Sequence, residues 1–300
     1  MKKFLFLIFL IFLISILIGP AGFDKEIILN LRIPRTLNAI FVGSSLSLSG
    51  LLLQTLFKNP LLEPYLIGTS SGAALFSFLS LFIPLNFIFK TPLFSFIGSI
   101  SAILIIILIS KFLEYNPYKI LLLGISISLI FSSILAFLIY YSHSERIKIF
   151  FYLFGSLSKS SWFSFFIIFF SFIFVFLYFL IKNKELDIIL LSEEESFSLG
   201  VDPKKIYIKI LLFSSFLTGI TVSFTGIIGF VGLIVPHISR ILKGEKHMNL
   251  IPYSALIGGI LLLLCDNFSR IILEGVEIPV GIITSFIGVP FFIYLIFKSI

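Results

Sequence analysis

Long apolar runs divided by short polar joints limit this chain more than any other feature. Ten stretches approach the about 20 apolar residues that a membrane-crossing helix needs. They lie at roughly 4–19, 35–57, 63–83, 92–111, 118–141, 161–181, 204–225, 227–242, 251–272 and 279–297. The first follows Lys2 and Lys3 as a signal peptide would, but Gly19-Pro20-Ala21 is a poor cleavage site, so a retained span is expected. The run at 227–242 is short and holds Pro236, so its neighbours must satisfy the backbone groups it frees. Hydrophobic residues form 58% of the 300 and charged residues 12%, too few charges to cover a soluble domain. The expected fold is an all-α integral membrane protein of about ten transmembrane helices, one domain over 1–300.

Charge sets the expected orientation. With the N-terminus inside and ten spans, fourteen of the 22 lysines and arginines fall on the cytoplasmic side and eight outside. That bias fits the positive-inside rule and puts both termini in the cytoplasm. The net charge of +7 comes from lysines beside spans, which argues against a nucleic-acid partner. The 39 phenylalanines read as compositional bias. One cysteine, Cys265, excludes an internal disulfide and a cysteine-based metal cluster, and its apolar setting suits a small packing residue.

Small residues recur at helical spacing. Gly43, Ser47 and Gly50 share a face, as do Gly124, Ser128, Ser132 and Ala136, and again Gly281, Ser285 and Gly288. Close helix packing explains such ladders, and a pathway wall is the alternative. Glu63 before Pro64 reads as a helix cap, and Asp266 with Arg270 as an i,i+4 ion pair. No acidic residue falls at a membrane centre, which weighs against an ion-coupled secondary transporter. The longest inside loop, 182–204, spells a short helix at about 193–199. Ser192 and Glu195 form a capping box, Glu193 and Glu194 favour the helix N-terminus, and Gly200 closes it. Phe197 and Leu199 ride on that helix. There is no phosphate-cradling G-x-x-x-x-G-K-[ST] loop, no H-E-x-x-H, no C-x-x-C and no G-x-S-x-G, so an enzyme is a poor reading.

Four stretches carry a resemblance. "RIPRTLNAIFVGSSLSLSGLLLQTLFKNPLLEPYLIGTSSGAAL" (32–75), "LSEEESFSLGVD" (191–202), "GIIGFVGLIVPHISRILKG" (226–244) and "DNFSRIILEGVEIPVGIITSFIGVPFF" (266–292) resemble, in order, the FecCD-type permeases of ABC importers. The resemblance implies the type II importer permease fold and a prokaryotic cytoplasmic-membrane location. It implies a second permease subunit, commonly identical, two ATPase subunits and an external substrate-binding protein. ATP and Mg²⁺ would then belong to the ATPase, with no cofactor in this chain. The cargo would be an iron chelate of siderophore type first, then cobalamin or haem. By the same resemblance Arg32, Arg35 and Arg270 form an external pocket for the binding protein's carboxylates. Glu193, Glu194, Glu195, Phe197, Leu199 and Gly200 face the ATPase, and the ladders of the fifth and tenth spans line the pathway. A short external helix is implied between Tyr141 and Trp162. Apart from the resemblance, lipid-phosphate contact explains Arg32 and Arg35.

Overall fold

The computed structural model describes residues 2–17, 24–84, 87, 89–142, 152–273 and 276–298, and among these the regular elements are helical. Twelve helices follow one another: α1 (Lys2–Leu17), α2 (Lys25–Leu56), α3 (Thr69–Ser80), α4 (Lys90–Ser110), α5 (Pro117–Tyr141), α6 (Trp162–Ile181), α7 (Asn183–Ile188), α8 (Glu193–Ser198), α9 (Pro203–Thr225), α10 (Val231–Lys243), α11 (His247–Ile271) and α12 (Val280–Lys298). Side chains fix many starts. Asn116 accepts from the Lys119 N–H before α5, and Asp202 from the Lys204 N–H before α9, each followed by proline at the first helical position.

Each of the ten apolar stretches carries a helix. Six helices, α2, α4, α5, α6, α9 and α11, are long and apolar enough to cross a membrane. α3 and α10 have only 12 and 13 residues, about 20 Å of helix, which is short of a hydrocarbon core. Non-helical backbone precedes both. A 3-10 turn at Pro64–Ile67 and left-handed Gly68 lead into α3, and residues 226–229, with Gly226 at φ +71°, run without regular structure into α10. The sequence reading of 227–242 as one helix is corrected here, since the helix begins at Val231.

Backbone groups freed by these breaks find partners within the protein, as a membrane interior requires. Tyr152 O accepts from Ile227 N–H at 3.0 Å, and Thr225 O from Ser156 N–H at 2.7 Å. Gly155 O and Phe154 O accept from the N–H groups of Val280 and Gly281. The Tyr65 hydroxyl donates to Ile228 O at 2.8 Å and lies 3.1 Å from Ile228 N. The Glu63 carboxylate accepts from Phe230 N–H, so it caps α10. It makes no capping bond to the 3-10 turn that follows it in sequence, which corrects the sequence reading. The unsatisfied N–H groups and positive dipole end of α10 are the physical reason a carboxylate lies there. The expected helix between Tyr141 and Trp162 falls largely on 143–151, outside the described residues.

α2 occupies the middle. Every residue from Val42 to Leu56 is buried, among α6, α9, α10 and α11. Gly43 meets α11 so closely that a Cβ there would lie 2.2 Å from Gly258 O. Ser44 and Ser47 donate to Ala255 O and Ser254 O at 2.8 and 2.7 Å. Gly50 meets Gly232 of α10 in the same way, and Gly72 of α3 meets Gly98 of α4. In lipid, where apolar burial gives helices little reason to associate, such close approach is what holds a bundle together. α5 is the opposite case, with most of its surface exposed.

Gly43→Ala is therefore expected to destabilise the bundle by about 1–3 kcal/mol, the cost of overpacking a closed contact. Ser44→Ala removes one interhelical bond and is expected to cost about 0.6 kcal/mol. Thermal unfolding in detergent measures both, and an equal effect of the two changes would contradict this account.

Candidate functional site

The bundle carries polar clusters at both ends of the α2–α11 pair. At one end α2 begins earlier than the sequence suggested. Asp24 caps Lys25–Ile27, and a wide π turn at Ile28–Arg32 continues into the α-helix. Arg32 and Arg35 thus lie seven and ten residues after Lys25, beyond the helix start where a cation is unfavourable. Both point inward. Arg35 Nε and Nη2 each lie 2.9 Å from Asp266 Oδ1, and Nη1 lies 2.6 Å from Glu277 Oε1. Asp266 is fully buried and also holds Arg270 at 3.2 Å, so the expected i,i+4 pair is part of a larger network. Arg270 Nη2 donates to Ser15 Oγ at 2.7 Å and to Asn267 Oδ1 at 2.5 Å, and its Nη1 donates to Ser15 O. Arg32 donates to Ile16 O at 3.0 Å. Of the three arginines expected to act together, Arg35 and Arg270 thus share one buried carboxylate, while Arg32 bonds Ile16 O, and α1 is tied in through Ser15 and Ile16. Removing Asp266 would leave two buried guanidinium groups without their shared anion, a costly arrangement.

At the other end lies α8. Ser192 Oγ accepts from Glu195 N–H, and the Glu195 carboxylate accepts from Ser192 N–H at 3.0 Å, the expected capping box. Those bonds hold the Glu195 carboxyl below the ordinary glutamate range. Val201 N–H bonds back to Ser196 O and Gly200 N–H to Phe197 O, a Schellman closure with Gly200 at φ +78°. The helix ends at Ser198, one residue before the expected end, and Leu199 becomes its cap. Phe197 and Leu199 are 52% and 58% exposed, while Ser196 turns inward to Ile188 O. Glu193 and Glu194 are exposed on the first turn.

Sequence reasoning missed what ties this segment to the bundle. His247, at the start of α11, is 2% exposed. Its Nδ1 donates to Asp187 Oδ1 of α7 at 2.6 Å, and its Nε2 lies 2.7 Å from Thr55 Oγ1 near the end of α2. Burial would raise the Asp187 pKa, but the His247 hydrogen bonds prevail and hold it below the ordinary aspartate range. Lys58 Nζ adds a bond to Leu191 O at 2.7 Å. Beside them Arg240 Nη1 donates to Gln54 Oε1 at 2.6 Å, on the wall of a polar cleft of about 350 Å³. The only sequence hint was a histidine and an aspartate at polar joints, 60 residues apart. No group of three or more His, Cys, Asp or Glu suited to a metal ion occurs among the described residues. Cys265 is buried, as its apolar setting suggested.

The two ladders divide. A Cβ on Gly124 would lie 3.0 Å from Ile67 Cα, and Ser128 Oγ donates to Leu66 O at 3.4 Å, so the first half of the α5 ladder packs on the 3-10 turn. Ser132 and Ala136 are exposed. On α12, Gly281 meets Phe154 O, Gly288 receives the Phe230 ring, and Ser285 bonds Gly281 O.

Among the described residues, twelve helices with broken spans and polar clusters at both ends of the α2–α11 pair make an α-helical membrane bundle. Comparison with known proteins gives the family. The FecCD transport family matches residues 6–298, and the chain belongs to that family of ABC-transporter permeases. It is 36% identical to the hemin transport system permease HmuU of Yersinia pestis, over 90% of this chain and 83% of that one. It is 34% identical to the vitamin B12 import system permease BtuC of Vibrio parahaemolyticus, over 92% and 84%. An inward-facing ABC transporter described as of metal-chelate type superposes with a TM-score of 0.89 at 31% identity, covering 99% of this chain and 100% of that one. The fold is the type II ABC importer permease.

His247→Ala is expected to free α7 and α8 from the bundle while leaving the spans in place. It removes two hydrogen bonds, one to a charged group, together worth about 2–4 kcal/mol of local stability. Hydrogen exchange over 183–200 should quicken accordingly. The Asp187 carboxylate contributes stability above the ordinary aspartate pKa, and that part is lost as pH falls through its lowered value. Unchanged protection in His247→Ala would show that the segment is held elsewhere.

Proposed function

We propose that this permease imports a metal chelate, an iron chelate of siderophore type first, across a prokaryotic cytoplasmic membrane. It works as one of a pair, with an identical chain as the first expectation, above two ATPase subunits and beneath a binding protein. Haem or cobalamin is the alternative cargo. The observation that carries the reading is α8, a helix fixed at both ends whose large apolar side chains, Phe197 and Leu199, face outward. Such a helix has no packing reason to be so well stapled, and a cleft of the ATPase gives it one. The cargoes named for the relatives, hemin and vitamin B12, and the metal-chelate type of the structural neighbour support a chelate substrate.

In this reading both termini are cytoplasmic, the 182–204 loop faces the ATPase, and the arginine cluster faces the binding protein. Glu193, Glu194 and Glu195 meet the ATPase beside Phe197 and Leu199, and Gly200 lets the chain turn back. Arg32, Arg35 and Arg270 receive carboxylates, for which a guanidinium fork is well shaped. Ser132 and Ala136, with Ser285, line the pathway, and Gly124, Ser128, Gly281 and Gly288 shape its wall by letting neighbouring segments approach. Nucleotide and Mg²⁺ are held by the ATPase, and surrounding lipid contacts the exposed spans.

Reconstitution of the permease pair, the ATPase subunits and the binding protein in liposomes tests this. Uptake of radiolabelled ferric siderophore that depends on ATP and the binding protein is expected, with haem and cobalamin as competing cargoes. Uptake that persists with a hydrolysis-dead ATPase would favour an ion-coupled transporter. In the same system Gly200→Val opposes the left-handed φ but meets no neighbouring atom, so the bundle should stay folded while ATP hydrolysis and uptake uncouple. Normal coupling in that variant would remove the role given to α8.

Cysteines at Ser132 and Ala136, in a Cys265→Ser background, are expected to react with an aqueous maleimide, at rates that change between nucleotide-free and ATP-trapped states. A cysteine at Gly124 should stay inert. Equal inertness at all three positions would assign the ladder to packing alone.

A further inference from the structure

The two carboxylates on Arg35 are unlike each other. Asp266 is wholly buried and is shared with Arg270, so it is a permanent counter-ion. Glu277 has a side chain 45% exposed and reaches Arg35 by a contact of 2.6 Å to Nη1. Asp266 takes Nε and Nη2, which leaves Nη1 to the half-exposed Glu277. The backbone beside Glu277 is pinned. Ile278 N–H bonds Ser269 O at 3.2 Å, and Ser269 Oγ donates to Ile278 O. Glu277 can therefore swing away by side-chain rotation without moving the main chain.

We infer that Glu277 is a placeholder carboxylate. It neutralises the Nη1 edge of Arg35 while the permease is unoccupied and yields that edge to a carboxylate of the binding protein on docking. This rests on the docking reading above. Asp266 stays on Nε and Nη2 throughout, and an exchange of one carboxylate for another keeps the Nη1 edge paired as well, so that no part of the largely buried guanidinium loses its acceptor. A half-exposed pair is weak, so displacing it costs little, yet it lowers the net gain from docking. Glu277 thereby sets the affinity of docking and keeps release of the binding protein possible. It also selects against weaker anions, since only a well-placed carboxylate outcompetes one already at 2.6 Å.

The test compares Glu277→Gln, Glu277→Asp and Arg35→Lys in the assembled transporter in nanodiscs, with its own binding protein as the probe. Arg35→Lys keeps a cation beside Asp266 but loses the fork, so it tests docking without stripping a buried carboxylate. Glu277→Gln is expected to tighten binding about two- to five-fold, chiefly through a faster, more salt-sensitive association. Glu277→Asp, one methylene shorter, should give a smaller gain in the same direction, and it serves if the glutamine variant folds poorly. Arg35→Lys should weaken binding about ten-fold or more. Weaker binding in Arg35→Lys with unchanged or weaker binding in both Glu277 variants would overturn the placeholder and leave the docking reading standing. No change in any of the three would overturn both, because docking would lie elsewhere. Tightening by Glu277→Gln with no effect of Arg35→Lys would also overturn the proposal, since net charge rather than the Arg35 edge would then be responsible.

Discussion

The contact of α2 with α11 is the constraint on which the rest depends. Gly43 and Gly258 bring the two backbones together, and Ser44 and Ser47 bond across to carbonyls of α11. An added Cβ would collide with a carbonyl oxygen, so the geometry leaves no slack. Within a membrane this kind of packing takes over the part that apolar burial plays in water. Because α2 is surrounded on nearly every side, the positions of α6, α9 and α10 are referred to the same pair.

The pair also explains why the two polar clusters lie where they do. α2 and α11 run antiparallel, so Arg35 meets Asp266 at one end and Thr55 meets His247 at the other. Asp187 of α7 bonds His247, which in turn bonds Thr55, so α7 is linked to both helices of the pair. Arg35 and Asp266 link the same two helices at the opposite end. The ion pairs of the two clusters lie at the ends, whereas Glu63, between them, is held by the Phe230 N–H; ionised side chains in the middle of a membrane are costly unless partnered.

Between these ends the bundle is interrupted at Gly226–Phe230, at Pro64–Gly68 and around Gly155 and Val280. The interruptions bond to one another through Tyr152 O, Gly155 O, Tyr65 and Glu63. Irregular backbone is tolerated at membrane depth when protein groups satisfy it. Phe230, seated in the notch that Gly288 leaves, joins one interruption to α12. Segments with few helical bonds of their own are the ones that can rearrange at small cost.

Much of the architecture is local and was legible in the residues. Run lengths of apolar residues gave the ten helical segments. Ser192 with Glu195, Gly200, and Asp202 with Pro203 gave α8 and the start of α9, because capping bonds reach only a few residues along the chain. Four quoted stretches pointed to the permease family. What depended on distant partners was not legible. Glu63 reads as a cap on its own turn, yet the open N–H groups of α10 offered the better site, 167 residues away. Arg32 and Arg35 read as surface cations, yet the buried Asp266 drew Arg35 inward alongside Arg270. The ladder of Gly124, Ser128, Ser132 and Ala136 is one face by spacing, but only the approach of Ile67 divides it into a packed half and an exposed half. His247 with Asp187 and Thr55, and Glu277 with Arg35, come from separate helices and joints. Sequence spacing sets what a side chain can do within its own helix, while the crossing of helices decides which partner it meets.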